Sequence, residues 1–150
     1  MVLSPVRQAI VTEALGWLDT PYQHRQRCRG VGTDCVGFPL GVCINVGLLP
    51  ADIEIPYYST QWHLHQRHEL LAETVLKFGC KEKTMEDLLP GDMILFKIGL
   101  VCSHTGILLT PETFIHAVCP FPSRVITRPF DGMWQKRLAK RFFSLPGVED

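Results

Sequence analysis

Apolar residues recur at helical spacing early in the chain and gather into short β-rich runs late in it, so the pattern predicts helices first and strands afterwards. Ser4 followed by Pro5 is a helix cap with proline at the first helical position. Val6, Ala9, Ile10, Ala14, Trp17 and Leu18 then recur at helical spacing, and the predicted helix ends before Thr20-Pro21. From Tyr22 to Thr33 the text "YQHRQRCRGVGT" is polar and contains glycine, as a loop delivering the chain to Asp34 would. Asp34 is placed to cap a second helix in "CVGFPLGVCINVGLL", in which Phe38, Val42 and Val46 lie four apart and Cys35 falls in the first turn. Pro39 lacks the donor a helix requires, so that helix is expected to be kinked or to begin irregularly. Beyond the linker "PADIEIPYYS", Leu64, Leu71, Val75 and Phe78 predict another helix reaching about Gly79. The period then changes. "DMILFKI", "HTGILLT", "TFIHAVC", "SRVITRPF" and "RLAKRFFSL" are short β-rich runs separated by Gly, Pro, Ser or Asp, as in a meander of antiparallel strands. N-terminal helices and a C-terminal antiparallel sheet make the expected class α+β.

Composition narrows the picture. A chain of 150 residues, 46% of them hydrophobic, can bury one core, so a single domain over residues 1–150 is expected, with no internal repeat or low-complexity segment. Fifteen basic residues balance fifteen acidic ones, which removes any global field toward nucleic acid or an anionic membrane. No stretch reaches the roughly 18 apolar residues of a membrane span. The N-terminus has neither a basic start with an apolar run nor a small-residue cleavage site, so synthesis without a signal peptide, in a cytoplasm, is expected. There the six cysteines stay reduced. Their spacings include no C-x2-C or C-x4-C pair, so no structural zinc site is expected.

Reduced thiols can react. A helix start lowers a thiol pKa through its unpaired N–H groups, and Cys35 has that position. The competing reading, a small buried hydrophobe, is the one assigned to Cys43. A base tips the balance. His104 opens an apolar strand in "VCSHTGILL", and His116 interrupts another in "TFIHAVC"; each could also be a satisfied core histidine. With Pro111 at the hairpin centre, His104 opposes Val118 and His116 lies diagonally on the same face, whereas a two-residue turn would set the rings on opposite faces. A nucleophile, a base and an orienting group is triad logic in general form. His63, His65 and His68 with Glu69 read as a solvated face, since only His65 and His68 share a helical side. "WQKRLAKRFF" reads as the wet face of an edge strand, and Trp62 and Trp134 either pack over the cleft or fill the core.

Taken together, "TPYQH", "GTDCVGF", "DLLPGDMILF", "HTGILL", "FIHA" and Trp134 resemble the NlpC-type cysteine peptidases, cell-wall hydrolases of compact papain-like fold. "PYQH", "GVGTDCVG", "IPYYSTQW" and "FFSLPG" are most similar to the branch found among phage tail genes. The resemblance implies Cys35 as nucleophile, His104 as general base, His116 as the residue orienting His104, and Tyr22 as a helper of the oxyanion. It places His24 and Asp34 at the cleft as substrate-binding candidates, with Asp34 also structural, and makes Gly91-Asp92 a turn leading into the central strand. Val36 stands where the family more often has serine. The implied reaction is hydrolysis of an amide in peptidoglycan stem peptides, between D-γ-glutamate and diaminopimelate or lysine, with no metal or organic cofactor and with phage tail proteins as targeting partners at the cell wall. A thiol acyltransferase or amidase acting elsewhere, and a catalytically silent tail-assembly protein, are the alternatives.

Overall fold

The computed structural model of the chain describes residues 2–59 and 69–149. Helix α1 (Pro5–Leu15) begins where Ser4 Oγ accepts from the Arg7 N–H at 3.4 Å. It stops at Gly16, earlier than the apolar spacing suggests, yet Trp17 in the following turn is still fully buried. A two-stranded ribbon, β1 (Arg27–Cys28) and β2 (Gly32–Thr33), interrupts the predicted loop. Helix α2 (Gly37–Asn45) packs against α1, and Phe38 meets the Trp17 ring edge-on at 5.6 Å. Helix α3 (Leu70–Lys77) buries Leu71, Ala72 and Val75; Leu64, Trp62, His63, His65 and His68 lie outside the described residues.

The strands are β3 (Lys81–Lys83), β4 (Met93–Lys97), β5 (Cys102–Thr110), β6 (Thr113–Ala117), β7 (Val125–Pro129) and β8 (Ala139–Ser144). They form one antiparallel sheet in the order β3-β8-β4-β5-β6-β7. The expected meander therefore holds from β4 to β7, while β8 returns to lie between β3 and β4. "WQKRLAKRFF" is corrected accordingly: Ala139 to Phe143 belong to a strand paired on both sides, and Met133 to Leu138 form a wide π-helical turn.

Alternation along the strands builds two apolar layers. Met93, Leu95, Ile107 and Ile115 face the helices and pack with Ile10, Trp17 and Phe38. Ile94, Phe96, Leu108 and Phe114 pack on the other face, against Phe130 and Trp134. Asp92 anchors the entry to β4. Its buried carboxylate accepts from Arg7 Nη1 at 2.8 Å, Lys83 Nζ at 2.8 Å and the Leu89 N–H at 2.8 Å, so one acid ties α1, β3 and β4 together. A buried charge of this kind is tolerated only because it is fully paired. No helix among the described residues is long and apolar enough to cross a membrane.

Candidate functional site

The stretch Gly32 to Phe38 folds around Asp34. Asp34 Oδ1 accepts from the Gly37 N–H at 2.7 Å, and its carbonyl accepts from the Phe38 N–H at 3.0 Å, so Asp34 caps the helix as expected. Oδ2 accepts from the Arg25 N–H at 2.8 Å and the Tyr58 hydroxyl at 2.5 Å. Gly37 is required by close approach: a Cβ there would sit 2.0 Å from the Gln26 carbonyl oxygen. Regular helix starts at Gly37, so Cys35 sits in the turn entering α2 and not in its first regular turn.

Pro39 explains that offset. A residue at position 39 would ordinarily donate its N–H to the Cys35 carbonyl, and proline has none. The carbonyl accepts instead from the hydroxyl of Thr105, on β5 beside His104. The missing donor thus fastens the cysteine turn to the histidine strand. Thr105 is buried. Thr105→Val keeps its shape and leaves the carbonyl without that donor, so a loss of about 1–3 kcal/mol is expected in chemical denaturation. Unchanged stability would show that this tie contributes nothing.

The half-buried Cys35 thiol donates to the Ser103 carbonyl at 3.7 Å and interacts with the Tyr22 hydroxyl, which also lies against the Cys35 backbone N–H. The expected lowering of its pKa is not found. Burial, and next the Asp34 carboxylate, push the thiol up to about 12 against smaller opposing contributions from Tyr22 and backbone donors. The same burial raises Tyr22 well above the usual phenol range. Both groups rest protonated near neutrality.

The histidine pair depends on hairpin register. Thr110 pairs Thr113, a two-residue turn, but a bulge between Leu108 and Thr110 shifts the register so that Leu108 pairs Phe114 and Ile107 pairs Ile115. This is the register of a hairpin centred on Pro111. His104 and His116 consequently share a face, with His104 Nε2 2.7 Å from His116 Nδ1. Gly106 is needed beside them, since a Cβ there would meet the Phe114 ring at 2.8 Å. Trp134 closes the box, its ring 5.1 Å from His116 and 6.2 Å from His104. Desolvation, then the Arg128 charge, lowers His104 to about 4; desolvation, then His104 and Arg128, lowers His116 to about 2.

Cys35, Tyr22, His24, Asp34, His104 and His116 all border one cleft of about 980 Å3, its open mouth included. Among the described residues no hydrogen bond joins Cys35 Sγ to His104. His24 is engaged internally, with Nε2 3.1 Å from the Tyr58 carbonyl and Nδ1 3.7 Å from Asp34 Oδ2. Sequence reasoning missed Tyr58, Thr105 and Arg128. Arg128 pairs across from Phe114 and so lies diagonal to His116, donating from Nε to His116 Nε2 at 3.1 Å with its guanidinium 5.1 Å over Trp134. The β6–β7 register would have revealed it. Among the described residues no group of three or more His, Cys, Asp or Glu is arranged to hold a metal ion.

Solved structures share this architecture. The NlpC/p60 domain of the peptidoglycan hydrolase SagA matches with a TM-score of 0.62 at 21% identity, covering 93% of this chain and 98% of that one. The peptidoglycan hydrolase RipB of Mycobacterium tuberculosis matches with a TM-score of 0.60 at 17% identity, covering 99% and 70%. An NLP/P60-family protein of Staphylococcus aureus, described as similar to a lipoprotein, matches at 0.62 and 20% identity, covering 98% of this chain but 43% of its own. At these identities the likeness is one of fold. No curated protein sequence matches the chain. The sequence profile of the NlpC/P60 family does, over residues 19–142, and with most of the chain inside that match the protein belongs to the NlpC/P60 family.

Proposed function

We propose that the chain, acting as one domain over residues 1–150, is a cysteine peptidase that hydrolyses an amide in peptidoglycan stem peptides at the cell wall. The observation that carries this reading is the bonded His104–His116 pair bordering the same cleft as Cys35, whose thiol and backbone N–H both meet the Tyr22 hydroxyl. In this reading His104 takes the thiol proton and the sulfur attacks the scissile carbonyl. The Cys35 N–H and Tyr22 hold the developing oxyanion, and the amine leaves with the proton from His104. Water then clears the thioester. His116 orients the His104 ring.

Tyr22, His24, Ser59, Ser103 and Arg128 border the cleft and supply hydrogen-bonding partners that a peptide uses and an acyl chain does not. The scissile bond is the one between D-γ-glutamate and diaminopimelate or lysine, and the "PYQH" and "IPYYSTQW" stretches support a place among phage or prophage tail proteins. Incubation of the purified protein with peptidoglycan fragments, followed by mass analysis, is the test. The expected result is new N-terminal diaminopimelate or lysine on the released peptides. Intact stem peptides, or cleavage within the glycan, would overturn the reading.

A further inference from the structure

Arg128 raises a question of proton placement that the reaction does not absorb. A guanidinium is always protonated and only donates, so the bond from Arg128 Nε to His116 Nε2 at 3.1 Å makes that nitrogen an acceptor. A neutral His116 then carries its proton on Nδ1, and the 2.7 Å bond to His104 runs from His116 Nδ1–H to His104 Nε2. His104, neutral in turn, carries its own proton on Nδ1. Nε2 is occupied and Nδ1 is protonated, so no lone pair of His104 is left for the thiol of Cys35. Protonating His104 fully brings no relief, because its Nε2–H would face the Nδ1–H of His116.

The geometry points to Arg128 as a latch and a carboxylate receptor: bound to His116 it holds His104 in a form that cannot take the Cys35 proton, and a carboxylate on the substrate draws it away. The inference rests on the proposed roles of Cys35, His104 and His116, and it names the group that the cleft recognises. A carboxylate is the fitting ligand. Arg128 is half-buried at the cleft, its guanidinium carbon lies over the Trp134 ring 5.1 Å from the centroid, and among the described residues no carboxylate pairs with it. Its polar partner is a neutral ring nitrogen, which a carboxylate outcompetes through a paired, charge-assisted contact. The carboxylate of Asp34 borders the same cleft but is taken up by the N–H groups of Arg25 and Gly37 and by Tyr58.

Release conserves protons. His116 Nδ1 passes its proton to His104 Nε2, His104 Nδ1 gives its own to water in the cleft, and water returns one to His116 Nε2. His104 Nδ1 then has a free lone pair for the thiol, and His116 accepts from His104 Nε2–H. The low pKa values of both rings agree with a resting pair held neutral, since desolvation and the Arg128 charge act together on each.

Alkylation of Cys35 tests the latch without any substrate. Iodoacetate brings a carboxylate and iodoacetamide does not, and Cys28, exposed and outside this cleft, is the internal control. In the wild type the rate ratio of iodoacetate to iodoacetamide at Cys35 is expected to exceed that at Cys28 by about tenfold or more. In Arg128→Met the ratio should fall to that of Cys28, and the iodoacetamide rate should rise. Loss of a merely attractive charge would instead slow both reagents, because a nearby cation favours the thiolate. Long-range proton–nitrogen NMR of the rings supplies the second measurement: Nδ1–H on both histidines in the wild type, with Nε2–H on both after addition of glutarate or in Arg128→Met. A Cys35 ratio equal to that of Cys28, a slower iodoacetamide reaction in Arg128→Met, or wild-type rings already carrying Nε2–H would each overturn the proposal. If these measurements come out as expected while peptidoglycan fragments stay intact, the latch stands and the substrate assignment falls.

Discussion

Cys35→Ala is expected to lower hydrolysis of stem-peptide fragments on the order of 10^5-fold or more, because the sulfur that meets the Tyr22 hydroxyl, and on which the thioester forms in this reading, is gone. Cys35→Ser should lose nearly as much, since a hydroxyl in this site is a far weaker nucleophile than a thiol. Folding should survive either change. Cys35 is half-buried, and its backbone contacts to Thr105 and Tyr22 do not need the sulfur. The measurement is turnover by mass analysis beside thermal unfolding, with Cys28→Ser as the control that keeps full activity. Residual turnover above a thousandth of wild type in a well-folded Cys35→Ala would place the nucleophile elsewhere. The pH dependence follows from the same burial. A thiol raised to about 12 and an imidazole lowered to about 4 leave both partners neutral across the neutral range. kcat/KM should therefore stay flat there. It should fall only as acid approaches the lowered His104 value, where protonation removes the base, and not near the ordinary histidine value of about 6.5.

How much of this was legible depends on whether a feature is written along one element or between elements. The Ser4 cap, the Asp34 cap and the β-rich runs of β4 to β7, bounded by turn residues, are local, and they can be read from residue order alone. Strand β3 could not, because Lys81, Glu82 and Lys83 are all charged and show no alternation; only their pairing with Ser144, Phe143 and Phe142 of β8 defines the strand. The return of β8 between β3 and β4 is likewise a property of the whole sheet. At the site, the histidine face rested on a turn whose length pointed one way and whose bulge reversed it. The turn between Thr110 and Thr113 has two residues, as the unfavourable case required, and the shift between Leu108 and Thr110 restores the favourable one. The Cys35 pKa was misread because a helix start is a local signal, whereas desolvation and the Asp34 carboxylate depend on what packs around the turn. Arg128 was invisible for the same reason. Its role follows from lying diagonal to His116 across the β6–β7 register.

The second large effect is expected at the histidines, and its gradient separates their roles. His104→Ala should cost nearly as much as Cys35→Ala, because removing the base leaves a thiol raised to about 12 with nothing to deprotonate it. His116→Ala should cost less, on the order of 10^2–10^3-fold, since an unheld base still samples productive orientations. His116 is buried, so the alanine variant also opens a cavity beside Phe114 and Trp134 and admits water to His104. Rehydration relieves the desolvation that lowers His104, and the acid limb of kcat/KM should move upward toward the ordinary histidine value. His116→Asn should recover part of the loss, because an amide can accept from the His104 ring through its oxygen while carrying no charge. A purely structural role predicts something else: loss of stability in the alanine variant with an unmoved acid limb, and no recovery of turnover by asparagine. Equal turnover of His116→Ala and wild type would reduce the site to a Cys35–His104 pair and leave the 2.7 Å contact between the rings as packing alone.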